Sequence, residues 1–180
     1  MHDEKAFVRG LINRDAEAWA RLYEDYFPKI YRYIALKVQN RTEAEDLTEQ
    51  VFLKALESSR SFKWRGVPIS SWLFRIARNQ VIDHWRTDKS KRTNPLDESL
   101  VNDADDPHEL AEKNSDILRM VQAVGQLTQA QRDVIELRFA AGLSTAEVAK
   151  ILGKSQGAVK VMQHSALGVL RKRLASQLER

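Results

Sequence analysis

The sequence predicts an all-α chain: two small helical domains joined by a flexible acidic linker, the second containing a helix-turn-helix. Three observations predict it. Apolar residues recur at threes and fours along most of the 180 residues, which is the spacing of one helix face. Glycine and proline are few, at seven and four, whereas Ala, Leu, Glu, Lys, Arg and Gln, which lose little rotamer freedom in a helix, are plentiful. Charge falls in three blocks: residues 1–92 carry 18 Lys/Arg against 13 Asp/Glu, residues 93–116 one against eight, and residues 117–180 ten against four. Two basic blocks around an acidic one suit two surfaces for a polyanion on a tether that avoids it. Two ordinary solvated domains with an ordinary linker would show the same totals.

Composition also excludes classes. No stretch approaches the ~20 apolar residues that cross a bilayer, and the N-terminus lacks a charged segment followed by a hydrophobic one. A cytoplasmic protein is expected. Zero cysteines rule out disulfides, thiolate zinc sites and cysteine nucleophiles. His2, His84, His108 and His164 are scattered without a second ligand at metal spacing, and no Gly-rich phosphate loop occurs. Asp103, Asp105 and Asp106 lack the glycine and terminal Glu of a calcium loop. Neither catalysis, nor a metal or cofactor, nor a small-molecule substrate is expected.

The elements follow in order. Phe7, Leu11, Trp19, Leu22, Tyr26, Ile30, Tyr33 and Ile34 predict two helices over 4–38, broken near Asn13–Asp15, the second bent at Pro28. Thr42 has the form of an N-cap, with Glu43 and Glu45 in the first turn of a helix running to about Ser58. Gly66 and Pro68 make 59–69 a loop. Ser70 or Ser71 caps a third helix reaching about Lys89. Residues from Thr93 to Asp106 show no periodicity and read as linker. A helix resumes over 108–125, and Thr128 caps another that Gly142 ends as a C′ glycine. Ser144-Thr145-Ala146-Glu147 fits a capping box, Gly153 turns the chain, and Ser155 caps a long last helix. Two helices joined by a short turn with Gly make the helix-turn-helix pattern. Small Ala149 sits where the two helices would cross closely, and a bare helical hairpin is the plainer alternative.

Three surfaces stand out. On the helix 42–58, Ala44, Leu47, Val51 and Ala55 form an apolar stripe with Phe52 and Leu56 beside it. Asp46, Glu49, Gln50, Leu53 and Glu57 share the other side. A leucine among acids suits docking of a basic partner helix; a solvated acidic face is the alternative. On the helix 70–89, Ser71, Arg75, Arg78, Asn79 and Arg86 lie opposite the apolar side chains. Arginine pairs with phosphates, and Asn can contact an adenine edge in two places. The loop before it carries Phe62, Lys63, Trp64 and Arg65. Aromatic and basic residues interleaved suit unpaired strands, where bases stack on rings, although Trp72 and Trp85 themselves read as core. On the last helix Ser155, Gln156, Lys160, Gln163 and His164 form the polar side of the turns that enter a major groove. Arg171, Lys172 and Arg173 follow as backbone or partner contacts.

Three stretches carry a resemblance: Asp46-Leu47-Thr48-Glu49-Gln50-Val51-Phe52-Leu53-Lys54-Ala55, Ser71-Trp72-Leu73-Phe74-Arg75-Ile76-Ala77-Arg78-Asn79 and Gly157-Ala158-Val159-Lys160-Val161-Met162-Gln163-His164. In this order they resemble the extracytoplasmic-function sigma factors, the minimal members of the bacterial sigma-70 family, and the likeness covers nearly the whole chain. The resemblance implies a sigma factor that binds core RNA polymerase, directs it to promoters and promotes DNA melting. Residues 1–92 would bind and melt the −10 element, 93–116 would be the acidic linker, and 117–180 would read the −35 element. Asp46, Glu49, Gln50 and Leu53 match the segment docking on the β′ clamp helices, and the β subunit is a further implied partner. Lys63, Trp64, Arg65, Ser71, Arg75, Arg78 and Asn79 fall to −10 DNA. Ser155, Gln156, Lys160, Gln163, His164 and Arg171 fall to −35 DNA. An anti-sigma factor is also implied. Val161, Met162 and Ser165 stand where many relatives carry arginines, which leaves the contacted −35 sequence open. The competing reading, a stand-alone helix-turn-helix regulator, leaves the aromatic-basic loop and Asp46–Leu53 without a purpose.

Overall fold

A computed structural model describes residues 2–38, 40–62, 66–87, 119–120 and 122–178, and no strand occurs among them. The acidic stretch 93–116, and most of the helix expected over 108–125, lie outside the described residues.

The first unit is built from α1 (His2–Ile12), α2 (Ala16–Val38), α3 (Arg41–Ser58) and α4 (Ile69–Thr87). The break expected at Asn13–Asp15 is there. Arg14 takes a left-handed φ of 59°, and the Asp15 carboxylate accepts from the Ala18 N–H at 2.9 Å, capping α2. A Cβ on Gly10 would stand 2.9 Å from the Ala18 Cβ, so glycine there lets α1 lie against α2. Trp19 Nε1 donates to the Leu11 carbonyl at 3.0 Å across the same corner. Pro28 lies inside α2, which the structure assigns as one helix from end to end.

Two expected caps move. Asn40, not Thr42, caps α3: its side chain accepts from the Glu43 N–H at 3.0 Å, so the helix starts one residue before Thr42. Likewise α4 begins at Ile69, and the Pro68 carbonyl accepts from Ser71 N–H. That displaces Ser70 and Ser71 from the cap into the first turn, where both are buried. Every residue of the expected α3 stripe, Ala44, Leu47, Val51 and Ala55, is buried, facing Leu73, Phe74, Ala77 and Val81 of α4 and Leu22, Ile30, Tyr33 and Ile34 of α2 in one core. Burying each large side chain contributes about 1.5–3 kcal/mol.

The second unit comprises a helical turn at 122–125, α5 (Gln129–Ile135), α6 (Thr145–Leu152) and α7 (Gln156–Leu178). Thr128 caps α5 in a reciprocal box with Gln131. At Glu136–Ala140 the helix widens into a π turn, which periodicity had not indicated. Gly142, at φ +69°, then redirects the chain. Ser144 and Glu147 form the expected capping box on α6, Gly153 adopts φ 63° at its end, and Ser155 accepts from the Ala158 N–H at 3.1 Å to start α7. The helix-turn-helix is therefore present, with Ala149 buried at the crossing.

The two units do not lie apart. Val134, Leu137, Ala141, Leu143, Val148, Ala149, Ile151 and Val159 join the core of the first unit, while Ala123, Leu127, Ile135, Ala166 and Leu170 form a smaller cluster of their own.

Candidate nucleic-acid interface

On α3, Asp46, Glu49 and Gln50 are exposed, and Leu53 is 59% exposed. The buried stripe of the same helix fixes this orientation, because side chains half a turn from the core must face water. Beside Leu53 an apolar groove of about 560 Å³ runs between α2 and α3, lined by Trp19, Ala20, Tyr23, Phe52 and Leu56, with Arg14 and Glu49 among its polar members.

On α4, Arg75 and Asn79 are exposed and Arg78 half-buried, one turn apart on one face. Ser71, expected on that face, is fully buried: it lies a turn earlier, where α4 is covered. Lys63, Trp64 and Arg65 lie outside the described residues. Phe62, at the edge of that loop, packs on Trp72 with ring centroids 4.6 Å apart, and Trp72 and Trp85 pack partly buried against the core.

On α7, Ser155, Gln156, Lys160, His164 and Arg171 are exposed. Gln163 is half-buried and accepts from Arg138 Nε at 3.1 Å. That ties α7 to the π turn, a role its spacing among polar residues did not show. Val161 is 70% exposed on the same early turns.

Sequence reasoning also missed where α4 goes. Arg75 donates to the Lys150 carbonyl of α6 at 3.1 Å, and Ser70 donates to the Glu147 carboxylate. Arg78 lies 3.7 Å from Asp133. Lys37, on α2, places its ammonium 2.8 Å from Asp133 and in contact with Glu136, with its side chain only 4% exposed. Tyr33 and Trp85 flank that ammonium at 5.6 and 5.9 Å. Two cations of the first unit thus meet two carboxylates of the second. Burial pushes the Glu136 carboxyl up, though Lys37 pulls it back. Burial also raises Glu147, but hydrogen bonds from Ser70 and Ser144, with Lys29 nearby, leave it net below the usual carboxylate range. Burial likewise raises the Tyr33 phenol.

Among the described residues no group of three His, Cys, Asp or Glu side chains could hold a metal ion, and no helix is long and apolar enough to cross a membrane. The exposed faces of α4 and α7 display cations and amides, among them Arg75, Asn79, Gln156 and Lys160.

Comparison with known proteins gives the same two units. The family described as Sigma-70 region 2 matches residues 22–91, and Sigma-70, region 4 matches residues 123–172. The chain is 35% identical over 158 residues to the ECF RNA polymerase sigma factor BldN of Streptomyces coelicolor, covering 87% of this chain and 60% of that one. It is 35% identical over 169 residues to the ECF RNA polymerase sigma factor SigX of Bacillus subtilis, covering 88% and 84%. In fold it is similar to CnrH, solved in complex with the cytosolic domain of CnrY, at a TM-score of 0.73 and 20% identity over 96% of this chain and 97% of that one. It is similar also to the Bartonella quintana sigma factor RpoE, solved with the anti-sigma factor NepR, at 0.67 and 22% over 89% and 98%. Two regions in order along one chain, and the identity to SigX across most of its length, show that this chain belongs to the extracytoplasmic-function (ECF) sigma factors of the sigma-70 family.

Proposed function

We propose that this chain binds core RNA polymerase, brings it to promoters through their −10 and −35 elements and promotes strand opening, acting in the cytoplasm. Residues 1–92 serve the −10 element and the polymerase, 93–116 link, and 117–180 serve the −35 element. The observation that carries this reading is one chain with both a helix-turn-helix and a separate docking face. Exposed Gln156, Lys160 and His164 stand on the early turns of α7, where a recognition helix meets base edges, and Ser155 and Arg171 suit phosphates. The Asp46–Glu49–Gln50–Leu53 face of α3 has no use in a regulator that binds duplex DNA alone. It offers acids around an apolar anchor, which suits the β′ clamp helices, with the β subunit as a further contact of the assembled enzyme.

On α4, Arg75 and Arg78 suit phosphates and Asn79 an adenine edge. The loop with Lys63, Trp64 and Arg65 supplies the ring and cations that an unstacked base needs. An anti-sigma factor is part of the proposal, since CnrH and RpoE were each solved with a bound partner of their own. In vitro transcription with core enzyme on a randomised promoter library tests the reading. Defined start sites sharing two spaced elements are expected. Duplex binding without any initiated RNA would leave the stand-alone regulator as the better account.

A further inference from the structure

Gln80 follows Asn79 on α4 but faces the other way. Asn79 is exposed, while Gln80 is only 4% exposed, in the seam between α4 and α3. A buried amide costs free energy unless both of its ends are bonded, and Gln80 has a partner at each. Lys54 Nζ donates to Gln80 Oε1, and Gln80 Nε2 donates to Gln50 Oε1 at 3.3 Å. Gln50 and Lys54 stand one turn apart on α3, and both are exposed. One buried side chain of α4 therefore bridges two surface neighbours on the helix it packs against.

The direction of this relay is fixed at one end. An ammonium only donates, whereas a glutamine amide can be turned end for end. Lys54 therefore draws the oxygen of Gln80, which aims the Gln80 NH2 group at Gln50. Gln50 can meet a donor only with its own oxygen. Its NH2 group is then the end left for the exterior. Without the relay, Gln50 would be free to present either end.

The proposed function places Gln50 with Asp46, Glu49 and Leu53 on the face that docks on polymerase. Resting on that reading, we propose that Gln80 is a positioning residue for docking: with Lys54 it turns Gln50 so that a hydrogen-bond donor points outward, and the polymerase surface meets that donor with an acceptor oxygen. The face is then not uniformly a receptor for cations. Basic side chains of a partner helix satisfy Asp46 and Glu49, but the group opposite Gln50 is a carbonyl or carboxylate oxygen. A partner that offers a donor there leaves two donors face to face and unpaired, so one oriented amide discriminates between partners. Holding the amide in advance also spares part of the rotamer freedom that a long exposed side chain loses on binding. Gln80 does this from inside the first unit, without touching the partner.

The test is a double-mutant cycle on the affinity of the full chain for core RNA polymerase, with Gln50→Ala and Gln80→Glu as its two changes. A carboxylate at position 80 keeps the shape and the bond from Lys54 but has no donor, so Gln50 turns its NH2 group inward and its oxygen outward. Gln80→Glu is expected to weaken binding roughly three- to tenfold, about the effect of one hydrogen bond, and to have no further effect in a Gln50→Ala chain. Far-UV circular dichroism checks that the helices persist. Should the carboxylate unfold the chain, Gln80→Met fills the same space without either bond. By freeing Gln50 it is expected to weaken binding by a smaller factor, again with no effect once Gln50 is alanine. A change at position 80 that leaves affinity unaltered, or lowers it equally in both backgrounds, overturns the relay while the docking face stands. If Gln50→Ala itself binds polymerase as the parent does, the docking reading fails at this residue and the role of Gln80 falls with it.

Discussion

Glu147 does two jobs with one carboxylate. It closes the capping box with Ser144 and accepts from Ser70 of the other unit. Its carboxyl is held below its ordinary 4.5 by those bonds against the pull of burial. For an acid whose folded value is depressed, the stabilisation is present above the unfolded value and lost as pH falls through the folded one. Glutamine at the same place keeps the box, since the motif accepts Glu or Gln, but cannot titrate. Glu147→Gln is therefore expected to lose less stability than the parent as pH falls from about 5.5 through and below the ordinary 4.5, read by denaturant unfolding, by less than ~1 kcal/mol given partial exposure. Glu136 works in the opposite sense: its raised value favours the folded state as pH falls. The difference between variant and parent, rather than either curve alone, carries the test, and equal slopes would show that Glu147 is not held by these bonds. Capping residues of this kind were legible in the sequence because their geometry is local, as Thr128, Ser144 and Ser155 show. Asn40 was missed because Thr42 two residues later has the same chemistry, and only the backbone decides between them.

At the scale of the element, periodicity predicted which face of α3 is buried and hence which is displayed. Leu53, 59% exposed beside the groove at Tyr23 and Phe52, is the apolar anchor of that display. A surface substitution away from caps and core normally changes stability by no more than about 0.5 kcal/mol. Leu53→Asp should leave the melting temperature nearly unchanged while abolishing capture of core polymerase in a pull-down. Unchanged capture would remove α3 as the docking helix. On α7 the sequence left open how Val161, Met162 and Ser165 replace the arginines of many relatives. The structure sorts them: Met162 packs against the core, Ser165 accepts from Gln131 Nε2 at 2.9 Å, and Val161 faces outward at 70% exposure. An aliphatic group on a recognition helix has one partner on a base edge, the thymine methyl. Replacing thymines of the −35 element by uracil, one at a time, should weaken binding of the parent at one position by about 1 kcal/mol or more and leave Val161→Asn, which offers no apolar group to the methyl, unaffected there. If no uracil substitution distinguishes the two proteins, Val161 reads no methyl. The π turn at 136–140 had no sequence signal. Its cause is tertiary: Arg138 reaches Gln163 and the Leu143 carbonyl, and Glu136 meets Lys37 of the other unit.

For the whole molecule, charge blocks and repeated helical spacing were enough to foresee two helical units, because each depends on composition within a segment. Their mutual packing was not foreseeable in that way. Lys37 and Asp133 are 96 residues apart, and nothing at either position marks the other. Val134 and Leu137 share a core with Ile30, Tyr33 and Ile34 of α2, and helical spacing within a segment carries no sign of which other segment will cover it. Promoter binding makes the opposite demand on the same pair of units. Two weak contacts joined through one particle gain avidity of about 10² to 10⁴ only while geometry lets both engage. DNA turns once in about 10.5 base pairs, so inserting about five between the elements moves one of them to the far side of the duplex. Transcription from such a template with core polymerase and this chain should fall at least about a hundredfold, and an insertion of about ten, which restores the face but lengthens the span, should recover little of it. A template series insensitive to spacing would mean that only one unit holds the promoter, and the two-element reading of the chain would fail with it.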